Sequence, residues 1–336
     1  MDAAATALVA RRPASVDGLV ELARADMGRV DALIVGRMDS PVPLIPALAD
    51  HLVAAGGKRL RPLVTVAAAR LAGGEGDAAL KLAAAVEFIH TATLLHDDVV
   101  DGSQLRRGKV AAHLIWGGAQ SVLVGDFLFA RAFELMVETD SLRALDVLAR
   151  ASRVIAEGEV LQLTRALDLD LDEETYLEIV RGKTAELFAA AGQSGAIVAG
   201  APDARVQALR EYGLKLGYAF QLTDDALDYG GASAELGKNA GDDFREGKAT
   251  LPLILAVRRT PRERGFWERA FSDASRREAD FRRARELVVG AGALSATLEL
   301  AQRYADEAKT ALAPFARNPW REALEDLADF AVSRSA

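Results

Sequence analysis

An all-α fold is what this chain predicts: one domain of about ten or more helices around a central cavity. Three observations carry that reading. Helix formers dominate while β-branched runs are short. Apolar and small residues recur at three- and four-residue spacing, as in Leu80, Ala83, Ala84, Phe88 and Thr91. Half of the 336 residues are hydrophobic, enough to bury a large core.

Taken in order, residues 1–15 are alanine-rich and expected to be disordered, as chain termini often are. Within them Asp2 stands ahead of the alanine-rich run and Arg11 and Arg12 behind it, the reverse of the charge order of a secretory signal, so a cytoplasmic location is expected. Residues 16–336 are expected to form the helical domain. Its first helical stretch ends at Asp39–Pro46 and a second at Gly56–Gly57. GGKRLRP (Gly56–Pro62) opens the next, and Gly73–Gly76 separates it from a mostly apolar helix ending in HDDVVD (His96–Asp101). Beyond Gly117–Gly118 lies a helix with Asp126, Phe129, Phe133 and Met136. Gly and Pro punctuation returns at Ala201–Asp203, after a helical pattern that begins near Glu173 and includes Lys183 and Thr184. The helix that follows includes Tyr218–Asp228. Tyr229–Thr250 is polar and glycine-rich, long enough for a functional loop, and Thr260–Gly265 breaks the remaining helices. No 20–50-residue repeat is present. The longest apolar stretches, such as Leu187–Ala199, are interrupted by Gly192, Gln193, Ser194 and Gly195, short of the roughly 20 residues of a membrane span, and a soluble protein is expected.

The formal charge of −8 argues against a nucleic-acid partner or an anionic membrane surface, so a bound anion must be met by local basic clusters. With no cysteine and four histidines, hard oxygen-bound metals become the default. On a helix His90, Leu94, Asp97 and Asp101 form one stripe, so Asp97 and Asp101 face the same space. Like charges four residues apart cost a helix roughly 0.2–0.5 kcal/mol, and a cation between them removes the conflict. Carboxylate oxygens suit Mg²⁺, which keeps waters and bridges to phosphates. An isolated DDxxD of this kind, with Asp98 inside it, is as readily a solvated helix end. Arg106, Arg107 and Gly108 follow at once, however, and arginine forks match diphosphate oxygens.

Downstream, Gln221, Asp225 and Asp228 share a second stripe with Asp224 beside them. Two carboxylate helices facing across a cavity can hold several Mg²⁺ ions that grip a diphosphate. The polar loop adds Lys238, Asp242, Asp243 and Lys248, in the position of a lid. Lys58, Arg59 and Arg61 sit at a helix entry, where backbone N–H groups favour anions.

GGKRLRP, HDDVVD followed by RRG, GEVLQL, GKTAEL, FQLTDDALDY and GKNAGDDFREGKATLPL together resemble the ordered motif set of the trans-polyprenyl diphosphate synthases, the class I isoprenyl diphosphate synthases. The resemblance covers about residues 45–330 and implies the isoprenoid synthase fold and a homodimer. It implies that Lys58, Arg61, His90 and Arg107 bind isopentenyl diphosphate. Arg106, Lys183, Thr184, Gln221 and Lys238 would surround the allylic diphosphate. Asp97, Asp101 and Asp224 would be the principal Mg²⁺ ligands, with Asp98, Asp225 and Asp228 in support and roughly three ions held once substrate is bound. The implied catalytic set is Asp97, Asp98, Asp101, Arg106, Lys183, Asp224, Asp225 and Lys238. The implied chemistry is ionisation of the allylic C–O bond, attack by the isopentenyl double bond and loss of a proton to the released diphosphate.

Product length in this family follows the depth of an apolar tunnel. Ala92 and Thr93, one turn before the first aspartates, are small and read as an open passage, with Phe129, Phe133 and Met136 as candidates for its floor. Most similar are bacterial octaprenyl and decaprenyl diphosphate synthases, which supply ubiquinone side chains, so a product of about eight isoprene units (C40 to C50) is expected, with transient membrane association for its release. A short-chain farnesyl or geranylgeranyl synthase is the alternative. A non-catalytic synthase subunit fits poorly with intact aspartate clusters. An HD-type phosphohydrolase needs further histidine ligands, and His51, His90 and His113 show no such pattern.

Overall fold

The structure, a computed structural model, describes residues 15–54, 57–106, 108–230 and 241–333, without the side chains of 49, 50 and 52–54. Most of the expected disordered segment therefore lies outside the described residues, as do Arg107 and Lys238.

Helices α1 (Asp17–Arg37), α2 (Leu44–Ala54), α3 (Leu60–Leu71) and α4 (Ala78–Val100) lead into a small antiparallel hairpin, β1 (Leu105–Arg106) and β2 (Lys109–Val110), with Leu105 opposite Val110. Then follow α5 (Ala112–Trp116), α6 (Gly118–Val137), α7 (Leu142–Thr164) and α8 (Glu173–Val180). A π-helical turn, Arg181–Ala185, joins α8 to α9 (Glu186–Val198), and α10 runs from Asp203 to Gly230. The chain ends with α11 (Asp242–Glu246), α12 (Leu251–Arg259), α13 (Arg264–Phe271), α14 (Ala274–Gly290), α15 (Ala293–Ala311) and α16 (Pro319–Ser333). The all-α class is as expected. α11 puts a helical turn where a continuous loop was expected, and the hairpin after the first aspartates was not foreseen.

Several breaks are made by capping side chains rather than by Gly or Pro. Ser141 accepts from the Ala144 amide at 3.2 Å, Asp172 from Thr175 at 2.7 Å and Asp273 from Arg276 at 3.0 Å. The expected helix through Lys183 runs without a break from Glu173 to Val198, but five of its residues, Arg181–Ala185, are π-helical.

The main core gathers α3, α4, α9 and the first half of α10; the packed faces of α3 and α9 are rich in alanine. α4 is long and apolar enough to cross a membrane, yet 67% of its most apolar 18-residue stretch is buried inside the protein. A second cluster surrounds Trp267, and a third joins Tyr176 on α8 to Leu222 on α10. Glycine sets one decisive approach. A Cβ on Gly158 of α7 would lie 2.7 Å from the Gly182 Cα, so only glycine lets α7 cross this close to the π turn.

Candidate active site

A cavity of about 640 Å³ opens among the start of α3, the C-terminal half of α4, the end of α7, the π turn, α10 and residues 242–250. Thr93, Asp97 and Asp101 line one wall from α4 because 93, 97 and 101 repeat every four residues. Gln221, Asp224, Asp225 and Asp228 line the facing wall from α10, and Asp242, Asp243 and Glu246 close the space beside them. The expectation of two carboxylate helices looking across a cavity describes this geometry.

So many buried acids raise one another's proton affinity. Asp97 is pushed up to about 7 by burial, with Glu159 and Asp101 adding to it and Lys183 and Lys248 opposing. Asp225 is pushed up to about 7 by burial and by Asp243. It is restrained by two donors: the Tyr176 hydroxyl at 2.6 Å and the Gln221 amide nitrogen at 2.7 Å. Asp228 is pushed up to about 8 by burial and by Asp243. Both of its oxygens accept backbone N–H groups, Gly241 at 3.0 Å and Asp242 and Asp243 at 3.2 Å, so it anchors the start of α11.

Cations are set into this acidic space in two ways. Some pair with carboxylates. Lys248 lies 2.7 Å from both Asp101 and Glu246; burial lowers its proton affinity, but Glu246 and Asp101 outweigh that and hold the ammonium above its usual range. Lys183 contacts Glu159 at 3.2 Å and Gln162 at 3.0 Å, side chains placed beside it by the Gly158–Gly182 crossing. Other cations lie over aromatic rings: the Lys58 ammonium is 4.5 Å from the Phe330 ring centre and the Arg61 guanidinium 4.5 Å from that of Phe188. Arg61 also approaches His90 at 3.2 Å. Arg59, between them, has a left-handed backbone (φ 44°) and ion pairs to Asp31 at 3.0 Å and Glu87 at 3.4 Å.

The expected site residues Lys58, Arg61, His90, Thr93, Asp97, Asp101, Arg106, Lys183, Thr184, Gln221, Asp224, Asp225 and Asp228 all line this one cavity. Others do not. Asp98 turns away from it and is buried in an ion pair with Arg106, whose Nε lies 2.8 Å from its carboxylate; it orients that arginine. Ala92 is buried in the core, one residue off the stripe that Thr93 shares with Asp97. On α6, Met136 is a core residue, Phe129 is half-buried near His96 and Phe133 is exposed. None of the three lines the cavity, nor does any other residue of α6, whose inward stripe of Val124, Leu128, Ala132 and Leu135 packs with Met136 into the main core.

Glu159 and Gln162 of GEVLQL are a polar pair three residues apart on a helix, a spacing that could have marked them. Tyr176 could not have been found: its ring reads as core, and only the fold brings its hydroxyl to Asp225. Phe188 and Phe220, with ring centres 5.8 Å apart, give the cavity an apolar side.

The donor set fits a hard divalent cation. Carboxylate oxygens of Asp97, Asp101 and Asp224 face the space, and the Lys248 ammonium already bridges Asp101 and Glu246 as a positive charge. Among the described residues no group of three or more acids or histidines is arranged to hold a metal ion.

A polyprenyl synthetase family model matches residues 42–288. The octaprenyl diphosphate synthase of Escherichia coli K12 is 46% identical over 321 residues, 95% of this chain and 99% of that one. An all-trans-nonaprenyl-diphosphate synthase of Rhodobacter capsulatus is 42% identical, across 92% of this chain and 95% of its own. A polyprenyl synthase of Caulobacter crescentus CB15, solved with calcium and isoprenyl diphosphate, superposes with a TM-score of 0.94 at 73% identity, covering 97% of this chain and all of that one. With the family model spanning most of its length and such relatives matched nearly end to end, this chain belongs to the polyprenyl synthetase family, whose members are prenyltransferases.

Proposed function

We propose that the chain is a long-chain all-trans-polyprenyl diphosphate synthase, a single domain over residues 16–336. In this reading it adds isopentenyl diphosphate units to an allylic diphosphate such as farnesyl diphosphate and releases diphosphate, giving a C40 to C50 product for quinone side chains. The observation that carries the reading is the one cavity that unites both aspartate stripes, seven lysine and arginine side chains and an apolar side.

Mg²⁺, roughly three ions with substrate, would be held by Asp97, Asp101 and Asp224 and would supply charge stabilisation for departing diphosphate. The remaining work belongs to the chain. Lys58 and Arg61 hold isopentenyl diphosphate, with His90 beside them fixing the Arg61 fork. Lys183, Thr184, Gln221 and Arg106 surround the allylic diphosphate and stabilise the charge that grows as its C–O bond breaks. Lys248 must leave Asp101 for substrate, and its ammonium then faces the same phosphates. Phe188, Phe220, Ile179 and Leu94 exclude water from the allylic cation. Proton loss goes to the released diphosphate, so no protein nucleophile is required.

A long product is supported by Thr93, a small residue on the cavity wall where an aromatic would form a floor. A homodimer is part of the reading. Val122, Phe129, Phe133 and Val137 form one outward stripe of α6, with Val122, Phe133 and Val137 37%, 42% and 62% exposed, and Leu114 and Ile115 of α5 are exposed as well. Cytoplasmic placement with passing membrane contact for product release belongs to the same proposal, and recovery in the soluble fraction of lysed cells checks it. The test of function is chromatography of products formed from farnesyl diphosphate and excess isopentenyl diphosphate. A dominant C40 to C50 product is expected, and a dominant C15 or C20 product would overturn the long-chain reading.

A further inference from the structure

Tyr176 is 3% exposed in the third core cluster, yet its hydroxyl donates to Asp225 at 2.6 Å. Asp225 also accepts the Gln221 amide nitrogen at 2.7 Å, and Gln221 in turn accepts the Thr184 hydroxyl at 2.7 Å. The series Tyr176, Asp225, Gln221, Thr184 thus ties α8, α10 and the π turn together through side chains alone. Every donor in it points toward Asp225, so the carboxylate sets the orientation of the rest. Both Asp225 oxygens are engaged by protein donors, although Asp225 lines the cavity as Asp224 does.

The π turn needs such a tie. It departs from regular α-helical hydrogen bonding at the residues that carry Lys183 and Thr184. Its backbone is squeezed against Gly158 on one side and against α10 on the other, where a Cβ on Gly217 would lie 2.4 Å from the Ala185 Cα. Packing fixes where the turn lies, but the direction of the Thr184 hydroxyl and the Gln221 amide is fixed by hydrogen bonds.

We propose that Tyr176 is a positioning residue for the allylic diphosphate. Acting through Asp225 and Gln221, it holds Thr184 in the orientation that the allylic diphosphate requires and leaves the isopentenyl diphosphate side, Lys58 and Arg61 on α3, untouched. The inference rests on the proposed prenyl transfer.

The test is Tyr176→Phe in the full-length chain, which keeps the ring and removes the hydroxyl. KM for farnesyl diphosphate is expected to rise about tenfold, the factor for a hydrogen bond to a charged group, with KM for isopentenyl diphosphate within about twofold of the parent. Binding of a non-hydrolysable farnesyl diphosphate analogue to the Mg²⁺-loaded protein should weaken in parallel, a readout independent of turnover. In a double-mutant cycle, Tyr176→Phe should have no further effect in an Asp225→Asn background. Equal rises in both KM values, unchanged kinetics, additive effects in the cycle or loss of the folded state by circular dichroism would each overturn the proposal, the last by making the hydroxyl a core group. An inactive parent chain would instead count against the prenyl-transfer reading.

Discussion

Asp97, Asp225 and Asp228 hold protons more tightly in the folded chain than in the unfolded one, because burial penalises their charged forms and neighbouring acids add repulsion. Their folded values, about 7, about 7 and about 8, lie above an unfolded value near 3.8. The folded state therefore binds more protons between those limits, and stability falls as pH rises through the window. Metal-free protein, kept so with a chelator, should lose Tm steadily between about pH 5 and about pH 8 and level off above. Mg²⁺ with diphosphate should remove most of that slope. A Tm that climbs across the window without metal would contradict this electrostatic account. The same residues show where sequence reading stops. Asp97 and Asp101 could be assigned to one space because helical period is a geometric fact, whereas Asp224, beside the second stripe, was singled out by the family resemblance. Asp98 shares the motif but sits a residue off the stripe, and only its burial with Arg106 reveals that it orients an arginine.

Among the elements, α4 and α10 were legible because each combines a long apolar face with charges on one stripe. α6 was legible as a helix but not in its facing. Its phenylalanines read as the interior of a tunnel, yet the smaller residues Val124, Gly125, Leu128 and Ala132 occupy the inner stripe and leave Phe133 outside. A helix apolar on two sides gives no internal clue to which side meets its own core. The π turn was equally hidden, because no residue type marks it. The outer stripe of α6 has a consequence for assembly. Light scattering should give twice the chain mass for the parent, and Phe133→Glu with Val137→Glu should shift it toward the monomer while helix content stays unchanged. A parent that is monomeric at assay concentration, or a double variant that stays dimeric, would remove α6 as the interface.

Across the whole molecule, the main core built on α3, α4 and α9 holds the first aspartate stripe and the α3 cations on one side of the cavity. α10 carries the second stripe on the other, and the Trp267 cluster supports the segment from α11 to α12 that closes over both. The chain, with a formal charge of −8, thereby gathers acidic and basic side chains in one cavity, where the proposed function needs acids for metal and cations for phosphate. The account depends on the two stripes acting as one centre. The most direct measurement is turnover of Asp97→Ala and Asp224→Ala, each checked for retained fold by circular dichroism. Both are expected to lose several orders of magnitude of activity while remaining helical. Near-parental turnover in both would contradict the account.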